Sequence, residues 1–325
     1  MAPSRVMLVT AASGNIGQHL IPLLASDPNL KLVLPTNRAS SLQAQLAQHK
    51  QCQPGSNVFI EEGSIKEPRW FQRLLATHKV DTIFLNLTGD DELFTTLNCL
   101  DSIARSGTVK QLIYLSGLLD SGTSESIQRN IIAPCSSAHV LVKPLIEQKI
   151  EHGGFSFDWT VLHPTLFFTN DLRSKPSMLE KGVFDVPFGE AGISRVAPWD
   201  IALAAKNLVT SHGSGDSQKK WSRKKVAIGS RKAFKGSEMA RLWSEALGRE
   251  ITVLPGTEEG FDQFEDGFGA LAGPAWGRDM RLMFETFAVY GFGMTEEQYR
   301  QQVELLGREP EDYAAWVKAT GSQWV

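Results

Sequence analysis

Short apolar runs alternate with helical patterns along the first half of the chain. The runs that predict strands lie at residues 6–9, 30–34, 58–61, 82–85, 111–115 and 159–162. Helical patterns of about ten to fifteen residues separate most of these runs, which is typical of a parallel sheet with right-handed crossovers. We therefore predict an α/β fold with a doubly wound parallel sheet, in which ligands bind beyond the carboxyl ends of the strands.

The alternation ends near residue 164, and the pattern beyond it is mostly helical. A helix that follows residues 198–200 and ends at 209 is predicted, with a second helix at 237–247 and short strands at 226–229 and 251–254. The length of the chain suits one main domain with a smaller companion. We predict a dinucleotide-binding domain over residues 1–165 and a smaller, mostly helical substrate lobe over residues 166–325, some segments of which return to the sheet.

The turn between the first strand and the first helix predicts a nucleotide site. It has the spacing Ala-x-x-Gly-x-x-Gly, formed by Ala11, Gly14 and Gly17. Small residues let a pyrophosphate approach the backbone, and the first N–H groups of the helix point at the anion. Ala11 stands where a first glycine is usual, so the turn must avoid a positive φ there or accept about 1 kcal/mol or more of strain. The alternative is a plain strand–helix turn. The residues of this turn that we expect to bind the cofactor are Thr10, Ala11, Ser13, Gly14, Asn15 and Ile16.

The end of the second strand indicates which dinucleotide is bound. In a dinucleotide fold this strand end meets the adenosine ribose, where an acidic residue suits NAD and an arginine suits the 2′-phosphate of NADP. Residues 35–41 contain Arg38 and no acidic residue. An arginine fork pairs with phosphate in a bidentate manner, so we predict NADP(H), against the alternative of a solvated loop charge. Asn86, Leu87 and Pro164, at the ends of later strands, are further cofactor-binding candidates.

Three residues are catalytic candidates. Ser116 ends the fifth predicted strand, and His139 and Lys143 lie near the start of the helix that follows. Residues four apart share a helical face. Lys143 there can donate to the nicotinamide ribose and also binds the cofactor, and His139 can act as an acid or base near neutral pH. The alternative is a surface histidine and a solvated lysine on an ordinary helix.

Composition excludes several other classes. The formal net charge of −3 gives no reason to expect nucleic acid as a partner, and no apolar run reaches membrane length. The basic cluster 219–225 is interpreted as a solvated loop. Cys52, Cys99 and Cys135 are an odd count without metal spacing, so we expect neither a disulfide framework nor a metal. The N-terminus shows no signal pattern, and we expect a soluble, cytoplasmic protein without a membrane partner.

Taken together, several segments resemble a known group of proteins. They are the turn 10–17, Arg38, 114–116, Lys143 with Ile146 and Glu147, 159–164, 200–202 and 305–310. The chain resembles, over nearly its whole length, the NmrA-like, atypical branch of the short-chain dehydrogenases/reductases. That group is similar to isoflavone reductases, quinone reductases and fungal ergot-alkaloid reductases, and it contains redox-sensing regulators. The resemblance implies a Rossmann sheet, NADP(H) binding and a small C-terminal substrate lobe.

The chain departs from the pattern of the family at three positions. His139 stands at the tyrosine of the Tyr-x-x-x-Lys motif, His163-Pro164 replaces Arg-Pro, and Ser64 replaces an acidic residue after the third strand. Proton donation by a tyrosine of that motif is therefore excluded. Water, His139, Ser116 or the substrate itself remain as sources of the proton.

The function that follows is an NADP(H)-dependent reductase of a hydrophobic small molecule. Conjugated, quinone, imine or aromatic secondary metabolites fit, because electron-poor acceptors need less help from an acid. Phe167 and Phe168, which follow the last predicted sheet strand, are expected to form a substrate wall, with an ordinary core position as the alternative for each. The rival functions are an NADP(H)-sensing regulator without turnover and a non-redox isomerase, cyclase or lyase that retains the dinucleotide. A homodimer is a possible assembly.

Overall fold

The computed structural model describes residues 5–53, 56–117, 137–211 and 220–324. The chain folds into two compact units. The first comprises Met1–Ser116, Val142–His163 and Pro198–Val226, and the second comprises Gly117–Leu141, Pro164–Ala197 and Ala227–Val325. Cys135, and Lys219 of the basic cluster, lie outside the described residues.

Twelve strands are present in the described residues. They are β1 (Arg5–Val9), β2 (Leu30–Thr36), β3 (Val58–Glu62), β4 (Thr82–Leu85), β5 (Gln111–Leu115), β6 (Asp158–Pro164), β7 (Leu166–Phe167), β8 (Val183–Phe184), β9 (Ile193–Val196), β10 (Lys224–Ile228), β11 (Ala233–Phe234) and β12 (Thr252–Val253).

Seven of these strands form the central sheet. Their order is β10-β6-β5-β4-β1-β2-β3, and the pairs from β3 to β6 are all parallel. In β1, Leu8 lies between Val33 of β2 and Ile83 of β4. Strand β4 is buried along its whole length, as expected for a parallel strand covered on both faces. The predicted doubly wound parallel sheet is confirmed.

Helices connect the strands and make up most of the C-terminal part. They are α1 (Gly17–Ala25), α2 (Ala39–Leu46), α3 (Pro68–His78), α4 (Glu92–Ser106), α5 (Ala138–His152), α6 (Lys175–Lys181), α7 (Pro198–Ser211), α8 (Gly236–Leu247), α9 (Glu258–Ala272), α10 (Pro274–Tyr290), α11 (Glu296–Leu306) and α12 (Tyr313–Gly321). None of the helices in the described ranges combines the length and apolar character that crossing a membrane requires.

The core of the first unit lies between the sheet and three of these helices. Phe71 of α3, Ile103 of α4 and Ile146 of α5 share one buried cluster with Leu112 and Val161 of the sheet. Burial of these apolar side chains fixes α5 against the strands. The same turns of α5 carry Lys143 and Glu147, which contact residues just beyond the carboxyl ends of β4 and β5.

The second unit has its own core, built on two small sheets, β11-β9-β7 and β12-β8. Arg195 of β9 is fully buried, and its guanidinium pairs with the buried carboxylate of Asp171. Asp171 also accepts hydrogen bonds from Tyr313 (2.5 Å) and from the indole of Trp243 (3.2 Å). The buried charge is therefore paired and hydrogen-bonded, as a low-dielectric interior requires.

The interpretation of the basic cluster 219–225 as a solvated loop is wrong for its described part. Strand β10 already begins at Lys224, and Trp221 is buried. Lys225 reaches two carboxylates of α5, with Nζ 3.2 Å from Glu147 and 3.1 Å from Glu151. The sequence suggested a solvated loop because the partners of Lys225, Glu147 and Glu151, lie far from it along the chain.

Candidate active site

The turn after β1 is tied to the end of β4. The buried hydroxyl of Thr10 donates to the carbonyl of Asn86 (2.9 Å) and accepts from its N–H (2.8 Å). Ala11 adopts a left-handed conformation with φ of +51°. The turn therefore does not avoid a positive φ at this position, and it bears the strain of that conformation at a residue that is not glycine. Two of the predicted cofactor residues, Thr10 and Asn86, are brought together.

The two glycines of the turn permit close contacts. A side chain at Gly17 would place its Cβ 2.3 Å from the carbonyl oxygen of Ala12, which is too close for any real contact. At Gly14 the Cβ would lie 3.2 Å from the carbonyl oxygen of Ala11, whose partner is the N–H of Gly14 itself (2.9 Å). Helix α1 can start directly against the strand for this reason.

The start of α1 has the properties of an anion site. Ile16, at the N-cap, makes no side-chain cap, and the first turn carries no acidic residue. The N–H groups of Gln18 and His19 donate to the carbonyls of Gly14 and Ile16, and the helix dipole favours negative charge at this end of α1. Ser13 and Asn15 are exposed beside it, whereas the Ile16 side chain is buried.

Arg38 lies just past β2, at the N-cap of α2, and its side chain is exposed. Its N–H donates to the hydroxyl of Thr36 (3.1 Å), which fixes the bend that leads into α2. Gln45 of the same helix donates to the carbonyl of Ser13 (3.4 Å) and links α2 to the cofactor turn. No carboxylate in the described residues forms an ion pair with the Arg38 guanidinium, which is therefore available to an anionic ligand.

Lys143 of α5 lies at the ends of β4 and β5. Its ammonium donates to the buried carboxylate of Glu92 (2.5 Å) and to the carbonyl of Leu87 (3.2 Å), and it lies 5.7 Å from the centre of the Tyr114 ring. The Lys143 side chain is 12% exposed. An ammonium has three donors, so two are used within the described residues and one remains for a ligand. Burial raises the pKa of Tyr114, and the charge of Glu92 raises it further.

Ser116 belongs to a second buried cluster at the ends of β5 and β6. Its hydroxyl donates to Oε1 of Glu147, and Nε2 of His163 lies 2.9 Å from the same oxygen. Lys225 of β10 approaches the other carboxylate oxygen, Oε2. Burial alone raises the pKa of Glu147, but the hydrogen bonds from His163 and Ser116 and the charge of Lys225 outweigh it and lower the pKa. Glu147 is therefore an ionised carboxylate surrounded by donors.

The ionised state of Glu147 decides what Ser116 can do. A carboxylate only accepts hydrogen bonds, so the Ser116 hydroxyl must donate its one hydrogen bond to Glu147. The lone pairs of the serine oxygen then remain for a ligand. Ser116 is arranged to accept a hydrogen bond from an N–H or O–H group rather than to give a proton away.

His139 belongs to a third cluster, which lies within the second unit. Its Nδ1 contacts Oδ2 of Asp279, a residue of α10. Ser137 donates to the same carboxylate oxygen (2.8 Å), and the N–H of Ala138 donates to Oδ1 (2.5 Å). Burial raises the pKa of Asp279, but the hydrogen bond and charge of His139 and the bond from Ser137 lower it overall. Asp279 is therefore ionised beside the imidazole.

The two phenylalanines predicted to form a substrate wall have different surroundings. Phe168 is fully buried, with its ring 5.2 Å from that of Tyr313 and 5.5 Å from that of Trp316. Phe167 is only half-buried, and its carbonyl accepts a hydrogen bond from Arg195 (2.9 Å). Pro164 ends β6 and is buried. Of the two rings, Phe167 has the surface left to meet a ligand.

Sequence reasoning did not assign roles to four residues that hold these candidates in place. They are Glu92, Glu147, Lys225 and Asp279. Glu147 was named only as part of a segment that resembles the family. Its spacing of four from Lys143 nevertheless places both residues on the same helical face. Glu92 carried a weak signal as an acidic residue in the first turn of a helix that follows a strand. Asp279 carried none, because 140 positions separate it from His139.

The residues of the first unit fit a phosphorylated dinucleotide. The fit rests on two features. Helix α1 starts without a side-chain cap, behind a turn that tolerates no side chain at Gly17, and the guanidinium of Arg38 is exposed. Both features favour an anion, and each lies beyond the carboxyl end of a parallel strand, where ligands of such sheets bind.

Comparison with known proteins extends over nearly the whole chain. No family model matches it. An NAD(P)H azoreductase from Xenophilus azovorans is 24% identical over 317 residues, which cover 97% of this chain and 91% of that protein.

Two solved structures illustrate the likeness of fold. The NADPH-dependent quinone oxidoreductase QOR2 of Escherichia coli, in complex with NADPH, has a TM-score of 0.75 at 18% identity and covers 97% of this chain and 99% of its own. NmrA, a negative transcriptional regulator, has a TM-score of 0.69 at 14% identity and covers 99% of both chains. At such identities the likeness establishes the fold.

Proposed function

We propose that this chain is an NADPH-dependent reductase of a hydrophobic, electron-poor small molecule. The comparisons confirm the predicted resemblance to the NmrA-like, atypical short-chain dehydrogenases/reductases. The observation that carries the proposal is the position of Lys143 at the strand ends of a dinucleotide fold, where the described residues engage two of its three ammonium donors. The coarser prediction, an NAD(P)H-dependent oxidoreductase, is confirmed by the full-length similarity to an azoreductase.

The residues of the first unit divide the binding of the cofactor among them. The amides at the start of α1 bind the pyrophosphate, and Arg38 binds the 2′-phosphate that distinguishes NADP from NAD. Lys143 donates its remaining N–H to the nicotinamide ribose. When bound, NADPH supplies the hydride. Glu92 and the Leu87 carbonyl hold the ammonium of Lys143 in place, so little reorganisation is needed on binding.

Ser116 contributes as an acceptor. Because its proton is engaged by Glu147, its oxygen suits the N–H₂ group of the nicotinamide carboxamide, which needs an acceptor to fix the orientation of the ring. His163 and Lys225 keep Glu147 ionised and so keep the direction of this hydrogen bond. Ser116 is in this proposal a positioning residue for the cofactor.

The substrate class follows from the chemistry of hydride acceptors. Azo, quinone, imine and conjugated acceptors are already electron-poor, and an apolar ring such as Phe167 suits their flat, hydrophobic bodies. A relative that is an azoreductase supports this class.

The experiment records two signals on the same samples. NADPH absorbance and product formation by chromatography are followed with a quinone, an azo dye and an imine. A reductase consumes NADPH in proportion to product. Product without loss of NADPH indicates a non-redox enzyme that retains the dinucleotide, and tight NADPH binding without product from any acceptor indicates a sensor. Either of the last two results overturns the proposal.

A further inference from the structure

We propose that His163 is the proton donor of this reduction and that Glu147 positions it for that task. The inference rests on the proposed function and adds to the reaction two residues that the sequence does not single out as catalytic. It begins from the contact between Nε2 of His163 and Oε1 of Glu147, which is 2.9 Å long and buried within the first unit.

The register of the sheet places His163 beside Ser116. Strand β6 pairs with β5 in parallel, with Leu162 opposite Leu115, so His163 and Ser116 are the next pair at the carboxyl ends of the two strands. The N–H of Ser116 donates to the carbonyl of Leu162 (2.9 Å) and holds these ends together. His163 is therefore a neighbour of the residue to which the nicotinamide carboxamide is assigned.

Helix α5 adds the second link to the nicotinamide end of the cofactor. Glu147 lies four residues after Lys143, and residues at that spacing share a helical face with their Cβ atoms about 5–6 Å apart. Lys143 is assigned to the nicotinamide ribose. The pair of His163 and Glu147 thus lies next to both residues that hold the nicotinamide, all of them in the first unit. The reacting atom of the substrate must come to the same place to receive the hydride.

The contact with Glu147 fixes the protonation pattern of the imidazole. Glu147 is ionised and can only accept hydrogen bonds, so Nε2 of His163 carries a proton and donates to it. Nδ1 has no hydrogen-bond partner in the described parts of the chain, and it is not sealed from solvent. Nδ1 is therefore the nitrogen that gives and takes a proton. The transfer leaves the hydrogen bond from Nε2 to Glu147 in place.

The charges around His163 suit an acid. A carboxylate beside an imidazole stabilises the imidazolium, which is the form that donates a proton. Lys225 opposes this effect, but its ammonium lies at the other oxygen of Glu147, 3.2 Å from Oε2, and is shared with Glu151. The family pattern has an arginine in place of His163. A guanidinium does not release its proton, whereas an imidazolium can do so near neutral pH.

The hydroxyl groups of Ser116 and Tyr114 are already engaged. Ser116 donates to Glu147, and the hydroxyl of Tyr114 is buried and faces Glu92 at 3.4 Å. Neither group can release a proton without breaking a buried hydrogen bond to a carboxylate, which is costly in a low-dielectric interior.

The overall reaction defines when a proton is needed. A quinone takes a hydride and a proton, so quinone, NADPH and H⁺ give hydroquinone and NADP⁺. His163 breaks its Nδ1–H bond in that step, passes the proton to the quinone oxygen, and regains one from solvent. A triarylmethane cation takes only the hydride, so the cation and NADPH give the neutral leuco dye and NADP⁺. No proton donor is required for the second acceptor.

This difference provides the test. Menadione serves as the quinone and crystal violet as the cation, each with NADPH, and single-turnover rates are measured by stopped flow. We expect His163→Gln to lower the menadione rate by about 10²- to 10⁴-fold, the range of general acid catalysis, and to leave the crystal violet rate within a few-fold. The glutamine amide can still donate a hydrogen bond to Glu147, so the hydrogen bond from Ser116 keeps its direction.

The role of Glu147 has its own readout. Glu147→Gln removes the charge that stabilises the imidazolium, so the ratio of the menadione rate to the crystal violet rate should fall below that of the wild type at neutral pH. The ratio should recover as the pH is lowered, because acid repopulates the imidazolium. The crystal violet rate cancels any effect of the variant on the cofactor. A ratio that equals the wild-type ratio at every pH would overturn the role of Glu147.

Two controls separate chemistry from structure. His152→Gln makes the same substitution at an exposed histidine of α5 and should leave both rates unchanged. The wild type should reduce menadione more slowly in D₂O than in H₂O and reduce crystal violet equally fast in both, since only the quinone takes a proton from the exchangeable imidazole.

The outcomes distinguish a failed donor from a failed reductase. Equal losses on both acceptors in His163→Gln would mean that His163 only positions the cofactor or supports the fold. That result, an unchanged menadione rate in His163→Gln, or a wild-type menadione rate that is the same in D₂O and H₂O would overturn the assignment of the donor and leave the reductase intact. A wild type that oxidises NADPH with neither acceptor overturns the reductase itself, and the proton donor with it.

Discussion

At the scale of single residues, Arg38 provides a direct test of cofactor choice. Arg38→Ala should weaken NADPH binding by about 1.5–3 kcal/mol for each charge-assisted hydrogen bond lost and leave NADH binding almost unchanged, because only NADPH carries the 2′-phosphate. Calorimetric titration of both cofactors measures the difference. Arg73→Ala, at an exposed arginine of α3, is the matched control and should affect neither cofactor. Equal weakening of both cofactors by Arg38→Ala would disprove its predicted role.

A test of Lys143 must also change Glu92, the buried carboxylate with which it forms an ion pair. Removing the ammonium alone takes away the cation that the buried carboxylate of Glu92 pairs with. Breaking a buried ion pair in this way costs about 3–5 kcal/mol of folding stability and would confuse catalysis with unfolding. The double variant Lys143→Met/Glu92→Gln removes both charges and keeps the volume. We expect its turnover to fall about 10²-fold or more, with a much smaller loss of NADPH affinity, because the start of α1 and Arg38 are unchanged. Stopped-flow turnover and calorimetry on the double variant measure the two quantities separately.

The Glu92→Gln single variant completes that comparison. It retains the ammonium of Lys143, and the glutamine oxygen can still accept its hydrogen bond, so most of the turnover should remain. If the double variant consumes NADPH as fast as the wild type, Lys143 has no part in the reaction. A result in which both variants are equally slow would instead place the catalytic role on Glu92.

The sequence could indicate site residues whose role depends on their own position, but it could not indicate residues whose role depends on a partner far along the chain. The glycine spacing and Arg38 could be read directly because each depends on one position in a strand–turn–helix. Glu92 and Asp279 acquire meaning only through Lys143 and His139, which are 51 and 140 positions away. A linear pattern carries no record of such contacts, since they depend on how buried faces pack.

At the scale of elements, Gly17 tests whether the close approach of α1 to β1 is required. Gly17→Ala places a Cβ 2.3 Å from the Ala12 carbonyl oxygen, which is backbone and cannot move aside. We expect the free energy of unfolding to fall by about 1–3 kcal/mol or more and NADPH binding to weaken, because the turn must shift. Gly267→Ala, inside α9 with no atom within 4 Å of the new Cβ, is the control and should stabilise the protein by about 0.5–1 kcal/mol. Urea denaturation of both variants decides; a Gly17→Ala variant as stable as the wild type would show that the contact is not tight.

The same scale explains which elements the sequence could predict. Strands β1 to β6 were predictable from their short apolar runs. Strand β4 shows this most clearly with four buried residues in succession, whereas β3 has none that is fully buried. Strands β7, β8 and β11 have two residues each, too few to show a period, and were not predicted; β12 is as short but lies inside the apolar run 251–254. Strand β10 was placed two residues late, since Lys224 and Lys225 look solvated until Glu147 is seen beside Lys225.

At the scale of the whole molecule, the buried titratable groups set the pH range of stability. The pKa values of Glu147 and Asp279 lie below their ordinary values of 4.5 and 3.8. The stability they contribute is present above these ordinary values and is lost as pH falls through the lower values of the folded state. On the alkaline side, burial raises the pKa of Cys99 from 9.0 to about 12 and of Tyr299 from 10.0 to about 12, the latter helped by Glu309.

The sign on the alkaline side is opposite. Above about pH 9 the unfolded chain releases the Cys99 proton while the folded chain retains it, so unfolding becomes more favourable as pH rises. We expect stability to be nearly constant around neutral pH and to decline below about 4.5 and above about 9, since those are the ordinary pKa values of the groups concerned. Cys99→Ala should reduce the alkaline decline by up to about 1.4 kcal/mol per pH unit, whatever its effect at neutral pH. Urea denaturation at a series of pH values measures both slopes; an alkaline slope identical in wild type and Cys99→Ala would mean that the thiol titrates equally in the folded and unfolded chains, contrary to its burial against α3 and the sheet.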